Sequence, residues 1–202
     1  MTHGMVCAPQ PEAVEAGCEM LQRGGNAVDA AVACALAQGV VDPLMTGIAG
    51  FGSLQVYLPQ KKVHACIDFH GRVPAAARPD MWESLIEGEA RDGFGFLLKG
   101  QVNDLGYQSI TIPGSLKAYA EAQSSWGRLS WREVIAPAIA HADEGYLVRP
   151  EIYRFWTGAD GMGRVETIDR LRFSDQGRKL FFDETGQLRR PGSRIKNPAM
   201  AA

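Results

Sequence analysis

The longest apolar pattern in the chain runs from Ala27 to Val41, with Asp29 as its one formal charge. A helix that is apolar all round has to be covered on all sides. This one is too short and too alanine-rich to span a bilayer, so the pattern predicts a central packing helix. Gly24-Gly25-Asn26-Ala27-Val28-Asp29-Ala30-Ala31 marks its start. The two glycines close the preceding helix through left-handed dihedrals. Asn26 supplies the N-cap, and Asp29 falls at the third helical position, near the positive end of the dipole. Asp42-Pro43 ends the helix, because the residue before proline disfavours helical dihedrals. Upstream, Met5–Ala8 reads as a short strand. Pro11 opens a first helix, with Ala13, Ala16, Gly17, Met20 and Leu21 at helical spacing.

Alternation then takes over. Ser53–Leu58 and Val63–Asp68 read as two strands of a hairpin joined by Pro59–Lys62. Pro79–Ile86 predicts a short helix, and the glycine-rich stretch from Gly88 to Tyr107 predicts irregular chain. Ser115–Trp126 predicts a helix closed by Gly127. Ser130 and Glu133 form a capping box for the next helix, which carries Pro137 and stops at Gly145. Arg149–Trp156 reads as a further short helix. Beyond Thr157 the glycines suggest a linker, Leu180–Phe182 a strand, Asp183–Gly186 a turn, and Asn197–Ala199 the start of a helix.

Composition adds limits. The chain is 46% hydrophobic and 22% charged with a formal net charge of −2, a globular balance that points to neither nucleic acid nor an anionic membrane as partner. No basic segment followed by an apolar core marks a secretory leader, so a cytoplasmic location is expected. Cys7, Cys18, Cys34 and Cys66 match no zinc or redox spacing, and Cys18 and Cys34 read as buried thiols. No metal or cofactor is expected. Thr46-Gly47-Ile48-Ala49-Gly50-Phe51-Gly52 lacks the Gly-Lys-Ser/Thr ending of a phosphate loop and reads as a tight loop between close backbones. His64 and His141 read as satisfied or solvated, and His3 lies near the terminus. His70 remains the histidine of most interest, through its neighbours.

Several stretches occur in an order that resembles the N-terminal part of the large subunit of γ-glutamyltranspeptidases. They include Gly4-Met5-Val6, Glu15-Ala16-Gly17, Arg23–Ala31 and Val40–Pro43. Thr46-Gly47-Ile48, Gly71–Ala77, Pro113-Gly114-Ser115, Tyr119, Trp126–Leu129 and Ala136–Ile139 follow. Members of that family are N-terminal-nucleophile hydrolases with a four-layer αββα sandwich shared by two subunits. The resemblance implies an α/β fold class, of which this chain forms a partial sandwich, mostly helical with one hairpin. It implies that residues 1–202 are an incomplete domain, the N-terminal portion of a large subunit.

In the family, self-cleavage exposes a threonine whose hydroxyl attacks and whose own amine is the base. None of Thr46, Thr111, Thr157, Thr167 or Thr185 sits in a motif of that kind, and Thr2 precedes the first family motif, where an unstructured terminus is the ordinary reading. No catalytic residue is therefore assigned within the chain, which is expected to be inactive alone. Its partners would be the rest of the large subunit and the small catalytic subunit. Arg72 matches the family's arginine for the α-carboxylate of the substrate and is the one assigned substrate-binding residue. It is followed by Val73 rather than glutamate, and Gly-Arg-x-Pro-Ala-Ala resembles the transpeptidase-like branch that includes cephalosporin-acylase-like proteins. The implied activities are γ-glutamyl transfer or hydrolysis, or an acylase acting on glutaryl-type amides; a non-catalytic fragment or assembly partner is the third reading.

Overall fold

A computed structural model describes residues 4–202. Thr2 and His3 lie outside the described residues. The helices in chain order are α1 (Pro11–Gln22), α2 (Ala27–Val41), α3 (Ser115–Trp126), α4 (Trp131–Glu144), α5 (Pro150–Thr157), α6 (Thr167–Arg172), α7 (Asp175–Phe181) and α8 (Pro198–Ala201). The strands are β1 (Ser53–Leu58), β2 (Val63–Asp68), β3 (Ile86–Glu89), β4 (Phe96–Leu98), β5 (Tyr146–Leu147) and β6 (Arg194–Ile195). Mixed helices with small antiparallel sheets accord with the expected class. Two compact units divide the chain.

The first unit takes the chain through Arg72 together with Pro113–Tyr146 and Lys196–Ala202. Helix α2 lies at its centre, packed against α1, α3 and α4. Its own Val32 and Leu36 are fully buried, as are Met20 of α1 and Val134 of α4. The expectation of cover on every side is corrected in one respect. Ala27 and Ala31, four residues apart on one face, are exposed. They line an open apolar groove of about 470 Å³ with Met5, Val6 and Leu21. Met5–Ala8 joins no strand among the described residues. Of the two glycines only Gly24 is left-handed, at φ 89°. Gly25 answers to space instead: a Cβ there would stand 2.7 Å from the Met20 carbonyl oxygen. Strands β1 and β2 pair antiparallel from Ser53↔Asp68 to Leu58↔Val63, with the predicted bounds. Helix α4 runs through Pro137 without a break and stops at Gly145, φ 91°.

One buried carboxyl in this unit gives a pH test. Asp42, 3% exposed, caps the end of α2. Its Oδ2 accepts from the side-chain amides of Gln10 at 3.3 Å and Gln38 at 3.2 Å, while Oδ1 is buried without a partner. Burial pushes its pKa up, against the pull of those hydrogen bonds. The folded state thus holds this proton more tightly than the unfolded chain. Stability from Asp42 is fully present below the ordinary carboxylate range and falls as pH rises through the raised folded value. Asp42→Asn should flatten that fall, measured as urea-unfolding free energy from acid to neutral pH; an unchanged slope would assign it to other groups.

The second unit comprises Val73–Ile112 and Leu147–Ile195 and holds most of the corrections. Pro79–Ile86 is not a helix: a single 3₁₀ turn, Glu83–Leu85, is all that forms. Ile86 is drawn into a strand opposite Leu98, and this pairing overrides local propensity. The stretch expected to be irregular contains the β3–β4 hairpin with a bulge between Ile86 and Gly88. The linker glycines Gly158, Gly161 and Gly163 lie in irregular chain between α5 and α6, and α6 and α7 follow where the pattern predicted no helix. Leu180 and Phe181 end α7 rather than forming a strand; Phe182 alone bridges to Leu188. Ser174 caps α7 by accepting from the Gly177 N–H at 3.0 Å, a local signal the pattern of apolar residues does not carry. Phe181 then meets the fully buried Trp156 edge to face at 5.3 Å. Asp104 fixes the β4 side of the unit, accepting from the Val165 N–H at 2.7 Å and pairing with Arg170 at 2.5 Å.

Candidate functional site

Several of the stretches that carried the resemblance meet in two clusters within the first unit. In the first, the helix start Asn26–Asp29 meets Trp126–Leu129. Asn26 and Asp29 form a reciprocal capping box: the Asn26 oxygen accepts from Val28 and Asp29, and Asp29 Oδ2 accepts from the Asn26 N–H at 2.6 Å. Asp29 does far more than complement a dipole. It is fully buried, and it accepts from the backbone N–H of Arg128 and of Leu129 at 3.1 Å and from the Gln123 side-chain amide at 2.8 Å. Asn26 Nδ2 donates to the Trp126 carbonyl at 2.7 Å. The sequence offered one signal for this role: a lone charge in an apolar helix has to be paired.

In the second cluster, Gly50 of the Thr46–Gly52 loop accepts from the N–H groups of Gly114 at 3.0 Å and Ser115 at 3.2 Å. Gly52 exchanges backbone bonds with Phe69, just past the end of β2. Gly114 has to be glycine for this approach, since a Cβ would stand 2.7 Å from the Phe69 carbonyl oxygen. Phe69 packs edge to face on Tyr119 at 5.8 Å. Burial raises the Tyr119 phenol pKa, and a hydrogen bond with Ser115 opposes the rise. Three separated motifs are thereby locked into one rim, and the segment Asp68–Arg72 is carried on it.

Arg72 is exposed on this rim. Asp68 Oδ1 accepts from the His70 N–H at 3.0 Å and bonds the His70 ring Nδ1 at 2.9 Å. These two bonds, with smaller contributions from the charges of His70 and Arg72, hold the Asp68 carboxyl below its ordinary range. The Phe51 ring lies 5.8 Å from the His70 ring. The other candidates are spread out. His64 is exposed on β2, opposite Tyr57 and bonded to Gln55, as a solvated histidine would be. His141 is half-buried in the last turn of α4. Cys34 is buried and its thiol pKa is raised, chiefly by desolvation; Cys18 is half-buried, and Cys7 and Cys66 are exposed. The hydroxyls of Thr46, Thr157 and Thr185 bond to the Asp42 carbonyl, the Tyr153 carbonyl and Asp183 Oδ1. Thr111 is exposed and Thr167 opens α6. Among the described residues no group of three or more His, Cys, Asp or Glu side chains is placed to hold a metal ion, and no helix is long and apolar enough to cross a membrane.

A family model described as gamma-glutamyltranspeptidase matches residues 13–202. The acylase ACY 1 proenzyme of Pseudomonas sp. (strain V22) is 38% identical over 203 residues, covering 100% of this chain and 34% of that protein. The glutathione hydrolase proenzyme of Bacillus subtilis (strain 168) is 38% identical over 145 residues, covering 72% of this chain and 23% of that protein. The chain thus spans about a third or less of the length of these relatives. In fold, it superposes on the Helicobacter pylori gamma-glutamyltranspeptidase with a TM-score of 0.83 at 24% identity, covering 100% of this chain and 52% of that one.

Proposed function

Because the chain belongs to the γ-glutamyltranspeptidase family, we propose that it is the N-terminal portion of the large subunit of a γ-glutamyltransferase or hydrolase, with Arg72 binding the α-carboxylate of the donor. The observation that carries this reading is the rim itself: Gly50, Phe69 and Gly114 interlock and hold Asp68–Arg72 at the exposed end of the β1–β2 ribbon. A guanidinium offers a carboxylate two parallel N–H donors, a geometry that an ammonium lacks. The attacking group in this reading is the N-terminal threonine of a small subunit outside these residues. Partners are that subunit and the remainder of the large one. The ribbon supports such a partner: two strands alone are marginal, and Gln55, Tyr57, His64 and Cys66 leave one of its faces open. The match to an acylase over the full chain favours a second reading on the same rim, an acylase that accepts glutaryl-type amides.

The test is release of p-nitroaniline by the full-length protein from γ-glutamyl- and glutaryl-p-nitroanilide, with N-terminal sequencing of its mature small chain. Threonine is the residue expected at that new terminus. Residues 1–202 alone should give no release above background. Turnover by this portion that Thr2→Ala abolishes would relocate the nucleophile and overturn the reading.

A further inference from the structure

Cys7 and Cys34 both line the apolar groove along α2, and the reading above uses neither. We propose that Cys7 is a site of thiol–disulfide exchange with small-molecule disulfides and that Cys34 resolves the adduct, closing a reversible Cys7–Cys34 staple that pins residues 5–8 to α2. The inference stands whether or not Arg72 binds the donor.

The extended chain before α1 runs in step with α2. Two extended residues advance about 6.6 Å and four helical ones about 6 Å, so every second residue of the one meets every fourth of the other. Val6 stands at the level of Ala30: a Cβ on Gly17 would lie 2.8 Å from Val6 Cγ1 and 2.9 Å from the Ala30 carbonyl oxygen. The Gln10 N–H donates to Gln38 Oε1 at 3.2 Å. Ala8, midway between those two ties, is set at Cys34, and Val6 and Ala8 both pack on the cluster of Ala13, Ala16, Cys34 and Ala37. Cys7 lies between them. Its backbone crosses close to the level of Cys34, while alternation leaves its thiol exposed. Residues 4–9 make no backbone hydrogen bond among the described residues, so turning Cys7 inward breaks none. Cys34 is 8% exposed, and desolvation, followed by the nearness of Cys18 and Cys7, raises its thiol pKa. The exposed thiol is therefore the entry point and the buried one resolves. Cys18 lacks the freedom of Cys7, because the hydrogen bonds of α1 hold it in place. In the first step the Cys7 thiolate attacks one sulfur of the small disulfide, forms a mixed disulfide and expels a thiolate. In the second the Cys34 thiolate attacks the Cys7 sulfur and expels the other half. Each leaving thiolate takes up the proton that the protein thiol gave to water. The two cysteines are oxidised to one disulfide, and the small disulfide is reduced to two thiols.

The test treats the full-length protein with 2-hydroxyethyl disulfide, a neutral probe without a γ-glutamyl group, blocks the remaining thiols with iodoacetamide and maps the peptides by mass. Cleavage at glutamate separates Cys7 from Cys18, because Glu12 and Glu15 lie between them. A peptide pair joined through Cys7 and Cys34 is expected, lighter by a pair of hydrogens than the separate thiol peptides and lost on adding dithiothreitol. Cys7→Ser, at an exposed position, should abolish the link. Cys34→Ala should halt the reaction at the mixed disulfide on Cys7, and Cys18→Ala should leave the link as it was. Hydrogen exchange at the amides of residues 5–8 should slow once the link has formed and recover on reduction. A mixed disulfide on Cys7 that never resolves in the unsubstituted protein, a Cys18–Cys34 link in place of the expected one, or no reaction at all would overturn the proposal. Unchanged amide exchange after the link forms would overturn the pinning of residues 5–8.

Discussion

If Arg72 binds the donor as proposed, Arg72→Lys in the full-length protein should raise KM for γ-glutamyl-p-nitroanilide by roughly 30- to 160-fold, about 2–3 kcal/mol, with little change in kcat. A donor without the α-carboxylate should be nearly indifferent to the same change. The size follows from what lysine cannot supply. Arginine meets a carboxylate with two parallel N–H donors on a planar fork; lysine offers a point charge on a flexible stem. In the isolated chain Arg72 is exposed, and an exposed pair is worth little. The full effect therefore requires a bound donor that covers the guanidinium. Its setting suits such a contact, because Gly71 precedes it, Pro74 follows two residues on, and Phe69, three residues earlier, is locked to Gly52 by two backbone bonds. Equal losses with both donors would make Arg72 a structural residue. Unchanged KM for both would remove it from the site.

Asp29→Ala should lower the unfolding free energy by about 3–5 kcal/mol, the range for breaking a buried charged network by removing one partner. The carboxylate is fully buried and takes backbone N–H groups from Asn26, Arg128 and Leu129 together with the Gln123 amide. Alanine leaves those donors without acceptors and out of reach of water. Asn is no substitute, since it turns one acceptor oxygen into a donor that faces other donors. Glu19→Ala, which removes an exposed pair with Arg23, is the control and should cost well under 1 kcal/mol. Urea unfolding of the three variants decides the matter. An Asp29→Ala loss no larger than that of the control would mean that Asn26 and Gln123 repack around the gap.

Local chemistry was legible in the sequence. Pro11, Asn26, Gly127, Ser130 and Gly145 announce helix ends through caps and stops that act within four residues, and α2 and α3 have the predicted bounds. The β1–β2 hairpin was legible through its alternation. What escaped depends on distant partners. Ile86 forms a strand because Leu98 lies opposite, and Leu180–Phe181 stay helical because Ser174 starts a helix that brings Phe181 to Trp156. The same holds at the sites. Asp29 was read as a dipole complement, yet most of its partners lie 94 to 100 residues away. The resemblance supplied the motifs around Gly50 and Gly114 in order; only the fold shows that they touch.

That separation along the chain has a consequence for how the protein is made. The capping box of Asn26 and Asp29 closes from residues three apart, so the first turn of α2 can form as soon as it leaves the ribosome. The Arg128 and Leu129 N–H groups that complete the Asp29 cage arrive about 100 residues later, a delay of roughly 5–20 s at typical synthesis rates. Throughout that interval burial of α2 would strand a carboxylate without most of its donors, so the nascent helix stays wet. Burial of α2 is therefore expected to wait for translation of the Trp126–Leu129 loop. Pulse proteolysis of ribosome-bound chains arrested before and after this loop should show protection of α2 only in the longer ones, and early protection would break the link between synthesis order and core assembly.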